Sequence, residues 1–508
     1  MDPLARILPP YTRRVDNLPH RLRRILVIVA LGVLAMFMGL LIAVLPQQLI
    51  MVPAAPVVLL AAFALWLAPD GDQHLDVPIR RIFFALIAVS MVWPDYVALV
   101  VPGIGWASPM RVLMGVLFLT SAYALATSSR MRHEVVETAG FFKPMWIAFL
   151  CFYAIQLLVN VGTVTLGSRF FFAQIFYYFM FLIAAWPFRA EGTMRRFMQI
   201  IVVAAAIQGF FGLWEHRYTV PIWAGHIPSF LAVDAELTAR ILTPTARAGT
   251  DVLRIGSIYA TSVTYAEFIA IALPFVVYGL FFGRHLIARV AAFPLIILML
   301  ANAVFTNSRS AMVGVLISLF GLVALVTVQR FWKLRHQRDL LGAALFWSYP
   351  AFAALGAVAV LVVPRLRMMV LGGGQHQASN NARSEQWRIA LGRLKDNPIG
   401  HGQDSAGAVV GYVNQAGVST VDSYYIALLM DYGVLGFVAY GAFYIFAAFL
   451  AFRTFVRAEN VEERLAGPLA ISLTSFIVIK SVLMQQENHH LAFALAGMSA
   501  AIAWRQEL

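Results

Sequence analysis

Long apolar runs recur along the 508-residue chain, separated by short polar breaks marked by proline, glycine or charge. A helix rises 1.5 Å per residue, so about 20 mainly apolar residues cross a hydrocarbon core. Fourteen stretches meet that length: 25–45, 50–68, 82–101, 110–127, 144–162, 168–187, 197–214, 264–282, 288–304, 311–329, 341–363, 433–452, 466–484 and 490–504. The pattern predicts an all-α polytopic integral membrane protein, with about 14 transmembrane helices in a single membrane domain spanning 1–508. The first run follows Arg21, Arg23 and Arg24. It is too long for the apolar core of a cleaved signal peptide and has no small-residue cleavage site after it. An uncleaved first helix behind a basic N-terminus, 1–24, is expected.

Two long loops interrupt the spans, 215–263 and 364–432. Loops of such length in compact proteins are usually functional or disordered. Within the second, Trp387, Ala390, Leu391 and Leu394 recur at helical spacing, which predicts an amphipathic helix over 381–395. Asn380 or Asn381 would cap it, and Asp396-Asn397-Pro398 would stop it. Arg383 precedes Trp387 by one turn on the same face and is expected to point toward the membrane domain. There is no internal repeat and no low-complexity segment beyond Gly372–Gly374.

Composition narrows the class. The chain is 61% hydrophobic and 12% charged, against about 25% charged in soluble domains. That excludes a soluble globular, disordered or fibrous chain. Lysine and arginine number 38 against 25 acids, a net charge of +13. In a soluble protein that excess would suggest nucleic acid. With the N-terminus in the cytoplasm, however, 24 of the 38 basic residues fall on the cytoplasmic side, for a net +11, leaving +2 outside. The basicity is an insertion signal of the positive-inside kind, and nucleic acid drops out as a partner. Both termini are then cytoplasmic and both long loops lie outside. Cys151, the single cysteine, rules out an intrachain disulfide.

Four residues of the outer face stand out: Arg254 ahead of a span, Arg309 in the turn Thr306–Ser310, Arg383 in the loop helix, and Asp422 in Val421–Tyr425. A guanidinium is a rigid fork of donors suited to phosphate oxygens. Three arginines with one carboxylate fit a lipid-linked phosphate donor and a base that takes a proton from an acceptor hydroxyl. Each has a plainer alternative. Arg309 can anchor at the interface or satisfy helix-end carbonyls, Asp422 can cap the next helix, and Arg383 can pair with an acid or be solvated. Glu267, about one turn inside its span near Tyr265, is a second candidate acid or base. Asp95 and Lys480 are further intramembrane ionisable residues, and a buried ion pair explains each of these three about as well. Glu487, His489 and His490 lack the spacing of metal ligands, so no metal is expected. No P-loop, dinucleotide fingerprint or nucleophile elbow occurs, and no cofactor is expected.

These segments together resemble the O-antigen ligase and Wzy-type polymerase superfamily of bacterial membrane glycosyltransferases. The resemblance rests on Arg254-Ile255-Gly256-Ser257, the turn Thr306–Ser310, the loop helix Arg383–Trp387, Pro398-Ile399-Gly400-His401-Gly402, and Val421–Gly436. It covers about 254–450; residues 1–200 match only as hydrophobic spans. It implies a GT-C-like fold in the bacterial inner membrane with both long loops periplasmic. It also implies an undecaprenyl-diphosphate-linked oligosaccharide donor, other polysaccharide-assembly proteins as possible partners, and inverting, metal-independent transfer. Arg254, Arg309 and Arg383 would bind the diphosphate, and Asp422 would deprotonate the acceptor. Trp387, Tyr424 and Tyr412 would offer sugar-stacking surfaces, with buried aromatic packing as the alternative. Ligases of the family carry His-Asn where this chain has Asp422-Ser423, and the aspartate favours a polymerase that joins repeat units of an exopolysaccharide or O-antigen. A ligase moving a finished glycan to a lipid or protein acceptor uses the same chemistry. A lipid or polysaccharide transporter is the third alternative, disfavoured because the ionisable residues crowd the outer ends and no matching halves appear.

Overall fold

A computed structural model describes residues 29, 75–101, 105–160, 167–232, 235–243, 253–283, 286–333, 340–362, 367, 377–413 and 419–507. The basic N-terminus 1–24 and the expected spans at 25–45 and 50–68 therefore lie outside the described residues, apart from residue 29. The chain divides into two compact units, 1–79 with 116–135, and 80–115 with 136–508. In the first, Arg132 Nη1 donates to the Leu125 and Ala126 carbonyls, both at 2.8 Å, and so satisfies open helix-end acceptors.

Sixteen α-helices occur among the described residues, in the order α1 Asp76–Ser90, α2 Pro109–Thr127, α3 Ser129–Ala139, α4 Lys143–Asn160, α5 Gly167–Ala185, α6 Thr193–Tyr218, α7 Ala235–Leu242, α8 Ser262–Phe282, α9 Leu286–Phe305, α10 Arg309–Lys333, α11 Leu340–Val362, α12 Gln377–Asp396, α13 Ala406–Val410, α14 Tyr424–Arg457, α15 Ala466–Lys480 and α16 His489–Glu507. Six are long and apolar enough to cross a membrane: α2, α4, α6, α8, α10 (as Arg309–Trp332) and α14.

Two elements depart from expectation. The apolar run 82–101 is not one continuous helix. Helix α1 stops at Ser90, and Leu99–Val101 (β1) pairs antiparallel with Gly105–Ala107 (β2). Pro94 has no N–H to continue a helix, and Trp93 Nε1 donates to the Val97 carbonyl at 2.8 Å to hold the turn. The span expected at 433–452 begins earlier, because α14 starts at Tyr424. It is interrupted at Gly433, whose φ of 64° and ψ of −167° leave the helical region.

In the larger unit α8 is the central helix, with 83% of its apolar window buried. It packs against α6, α9, α10 and α15, while α14 packs against α4, α12, α13, α15 and α16. Buried hydroxyls and amides tie helices together as they do in lipid, where the hydrophobic effect gives little drive to association. Ser472 Oγ donates to the Ile271 carbonyl at 2.7 Å, and Asn302 Nδ2 to that of Gly209 at 3.1 Å. Large apolar side chains such as Leu158, Phe293 and Leu361 stay exposed.

The break in α14 is filled by the loop before it. The Pro398 carbonyl accepts from Val434 N–H at 3.1 Å, while His401 and Gly402 N–H donate to the Met430 and Asp431 carbonyls at 2.8 and 3.0 Å. Groups freed by the break are thus satisfied by backbone, as burial demands. The Asp431 carboxylate adds bonds from Asp404, Ser405 and Ala406 N–H, at 3.1, 3.0 and 2.9 Å. A Cβ at Gly433 would overlap the Pro398 oxygen and Ile399 backbone, and its φ is one that side chains disfavour. Gly433→Ala should therefore destabilise the protein by about 2 kcal/mol, read as a lowered Tm in detergent. An unchanged Tm would mean that the loop does not depend on this close approach.

Candidate functional site

Helix α12 and the segment leading into α14 meet at Asp422. Arg383 Nε lies 3.8 Å from Asp422 Oδ2, with the two side chains 30% and 38% exposed. That leaves the pair open to solvent and to a substrate. Gln386, one turn further along α12, accepts the Asp422 N–H on Oε1 at 2.9 Å. Asp422 does not cap α14. The N-cap is Ser423, which makes no side-chain capping bond. Of the two alternatives for Arg383, pairing with an acid is the one observed.

The loop helix forms, but with other bounds and a face shifted from Leu391 toward Gln386. It spans Gln377–Asp396, so Asn380 and Asn381 lie inside it rather than capping the expected 381–395 segment. It ends at Asp396, ahead of Pro398, as the stop signal required. Gln386 and Ala390 are its buried positions while Leu391 is exposed. The packed face therefore runs through Arg383, Gln386 and Ala390, spaced by one turn each. Apolar periodicity could not find Gln386 on this face because its side chain is an amide. The i, i+3 spacing of Gln386 from Arg383 was the available signal.

Arg254 and Arg309 come together at another turn. Arg254 Nε donates to the Thr306 carbonyl at 3.2 Å, three residues from Arg309. The Arg254 loop is pinned from below by Glu215 near the end of α6, whose carboxylate accepts Gly256 N–H at 3.1 Å and Ser257 N–H at 2.7 Å. A small concavity of about 30 Å³ opens beside it, lined by Arg254, Glu215, Tyr96, Ser257 and Tyr259 among others. Helices α10 and α14 pack together. Arg309 is the first residue of one, and Asp422 lies just ahead of the other.

Glu267 stands apart from these four. It is fully buried and ion-paired with Lys480 at 2.9 Å, both side chains having no exposure. Asn488 Nδ2 adds a bond to Glu267 Oε2 at 3.0 Å, and Lys480 Nζ donates to the Gln485 carbonyl at 2.5 Å. Burial raises the nearby Glu487 carboxyl to about 7, and Asp95 adds to the rise. Near neutral pH its charge is only partly present, and Glu267 is the direct partner of Lys480. The Glu267–Lys480 bond matches the buried-ion-pair alternative. Asp95 is not part of the Glu267–Lys480 pair. It lies in the turn after α1, half exposed and bridged to Arg111 at 3.2 Å.

Among the expected sugar-stacking residues, Trp387 is half-buried on α12 and Tyr412 half-buried beside the Val413–Ser419 bridge. Tyr424 is different. It is 3% exposed, with His489 edge-on at 4.7 Å, Tyr440 at 5.3 Å and Lys480 Nζ 5.8 Å from its ring centre. Its ring packs in the core, as in the alternative reading of buried aromatic packing. Tyr424 also links the site to the buried ion pair, because Asp422 sits two residues ahead of it. Sequence reasoning missed Gln386, Glu215 and Asp431, polar residues whose roles are hydrogen bonds across long sequence separations.

No curated protein matches the chain. A family model does, over the stretch that begins in α9, contains Arg309, Arg383 and Asp422, and runs into α14. The matched model is that of the O-antigen ligase (Wzy_C) family, and the match covers residues 294–441.

Proposed function

We propose that this protein is a membrane glycosyltransferase that polymerises undecaprenyl-diphosphate-linked oligosaccharide repeat units at the periplasmic face of the bacterial inner membrane. The observation that carries the proposal is the Arg383–Asp422 pair, half-open to solvent, inside the residues that the family model matches. Six long apolar helices among the described residues support a membrane enzyme. About fourteen apolar runs, sorted by charge, support cytoplasmic termini and two long periplasmic loops.

The chemistry is a displacement at the anomeric carbon. Asp422 takes the proton of an acceptor hydroxyl, whose oxygen forms the new glycosidic bond as the bond to the diphosphate breaks, with inversion. The electron pair leaves on the phosphate oxygen, and Arg254, Arg309 and Arg383 hold the developing charge. Diphosphate is a good leaving group, so positioning and electrostatics supply most of the acceleration. Trp387 and Tyr412 remain the aromatic surfaces open to a sugar.

A ligase that transfers a finished glycan is the second reading, favoured by the description of the matched family. The Asp422-Ser423 dipeptide favours the polymerase. Purified protein given one lipid-linked repeat unit and no other acceptor separates them. A ladder of products is expected, whereas a silent reaction that starts only when another acceptor is added would make it a ligase.

A further inference from the structure

Two buried polar groups beside Asp422 have no protein partner. Gln386 is 1% exposed and Ser423 is 2% exposed, and both Gln386 Nε2 and Ser423 Oγ lack a hydrogen-bond partner. The amide orientation is fixed by chemistry. Asp422 N–H is a donor, so the oxygen must face it and the NH₂ must be the group left over. Ser423 is equally unusual. A serine at an N-cap ordinarily accepts an N–H of the first helical turn, yet its side chain makes no such bond. Leaving buried donors unmade costs stability, and two of them flank the one carboxylate of the open site. Such groups call for a partner that the protein itself does not supply, a water, an ion or a ligand.

The chemistry of the pair indicates which ligand. A neutral amide and a hydroxyl match neutral hydroxyls, which both donate and accept. A phosphate here would face the Asp422 carboxylate, whose like charge disfavours it. The arginines suit phosphate far better.

We propose that Gln386 Nε2 and Ser423 Oγ form the acceptor-sugar subsite, hydrogen-bonding hydroxyls that neighbour the one deprotonated by Asp422. Gln386 then has two tasks. Its Oε1 fixes the Asp422 backbone and its Nε2 aligns the acceptor. The assignment rests on Asp422 as the base.

Ser423→Ala is the cleaner test, since it removes a hydroxyl that holds nothing in the protein. Its Tm should be unchanged or higher. Its KM for the lipid-linked repeat unit extracted from the producing cells should rise about fivefold to tenfold, the size of one neutral hydrogen bond. Gln386→Met should raise KM at least as much and lower kcat as well, because Asp422 loses its anchor. Binding of undecaprenyl diphosphate itself should be unchanged in both. An unchanged KM in Ser423→Ala, or weakened undecaprenyl diphosphate binding in either variant, would overturn the subsite. The two levels of inference stay separable. Asp422→Asn that keeps chain growth removes the base and this subsite together. Asp422→Asn that is inactive, beside an unaffected Ser423→Ala, removes the subsite alone.

Discussion

Asp422→Asn should abolish polymer growth while the protein still inserts, folds and binds lipid diphosphate. A positioned general base contributes about 10²- to 10⁴-fold, so a loss near 10³-fold in chain-growth rate is expected. The substitution keeps the side chain's size. It also keeps the backbone N–H that Gln386 accepts at 2.9 Å, so the local fold has no reason to change. What disappears is the carboxylate that faces Arg383 at 3.8 Å. Ladder formation from a purified lipid-linked repeat unit, alongside Tm and undecaprenyl diphosphate binding, reads the two effects separately. Full activity would remove Asp422 as the base and return attention to Glu267.

The second large effect concerns that glutamate. Lys480→Met should destabilise the protein by about 3–5 kcal/mol, because it leaves Glu267 as an unpaired charge in a fully buried site. The double variant Glu267→Gln/Lys480→Met should recover much of the loss, since a neutral pair replaces an ionic one. Asn488 can still donate to the amide oxygen in place of the carboxylate it now contacts. Thermal unfolding in detergent measures both. The double variant also decides the role of Glu267. A folded double variant that still polymerises makes the pair structural, holding α8 against α15 beneath Tyr424. A folded but inactive one would restore Glu267 as a catalytic candidate.

Much of the fold was legible because its signal is local. Helix ends at Asn160, Phe282 and Phe305 fall within two residues of the ends expected from hydrophobic runs. A membrane helix satisfies its own backbone, so the length of an apolar run nearly defines it. The errors occur where that condition fails. The 82–101 run bends at Pro94 into a hairpin. The α14 run hides a break at Gly433, because the freed carbonyls and N–H groups are met by residues 398–402. On α12 the apolar pattern gave the helix and the Arg383–Ala390 side of it, but missed Gln386 at the centre of the packed face and placed the exposed Leu391 on it.

The sequence by itself determined the class of molecule, most helix positions, the charge asymmetry and the four outer-face residues that motif resemblance singled out. These properties depend on residues close together in the chain or on counts along it. Only the tertiary structure decided which of those residues meet. Arg383 pairs with Asp422, Arg254 joins the Arg309 turn, Glu267 is held by Lys480, and Tyr424 is buried packing. The same is true of the unfilled donors on Gln386 and Ser423, which become visible only when α12 is laid against the start of α14. Whether a polar group has a partner depends on contacts between residues far apart in sequence, and no local pattern records them.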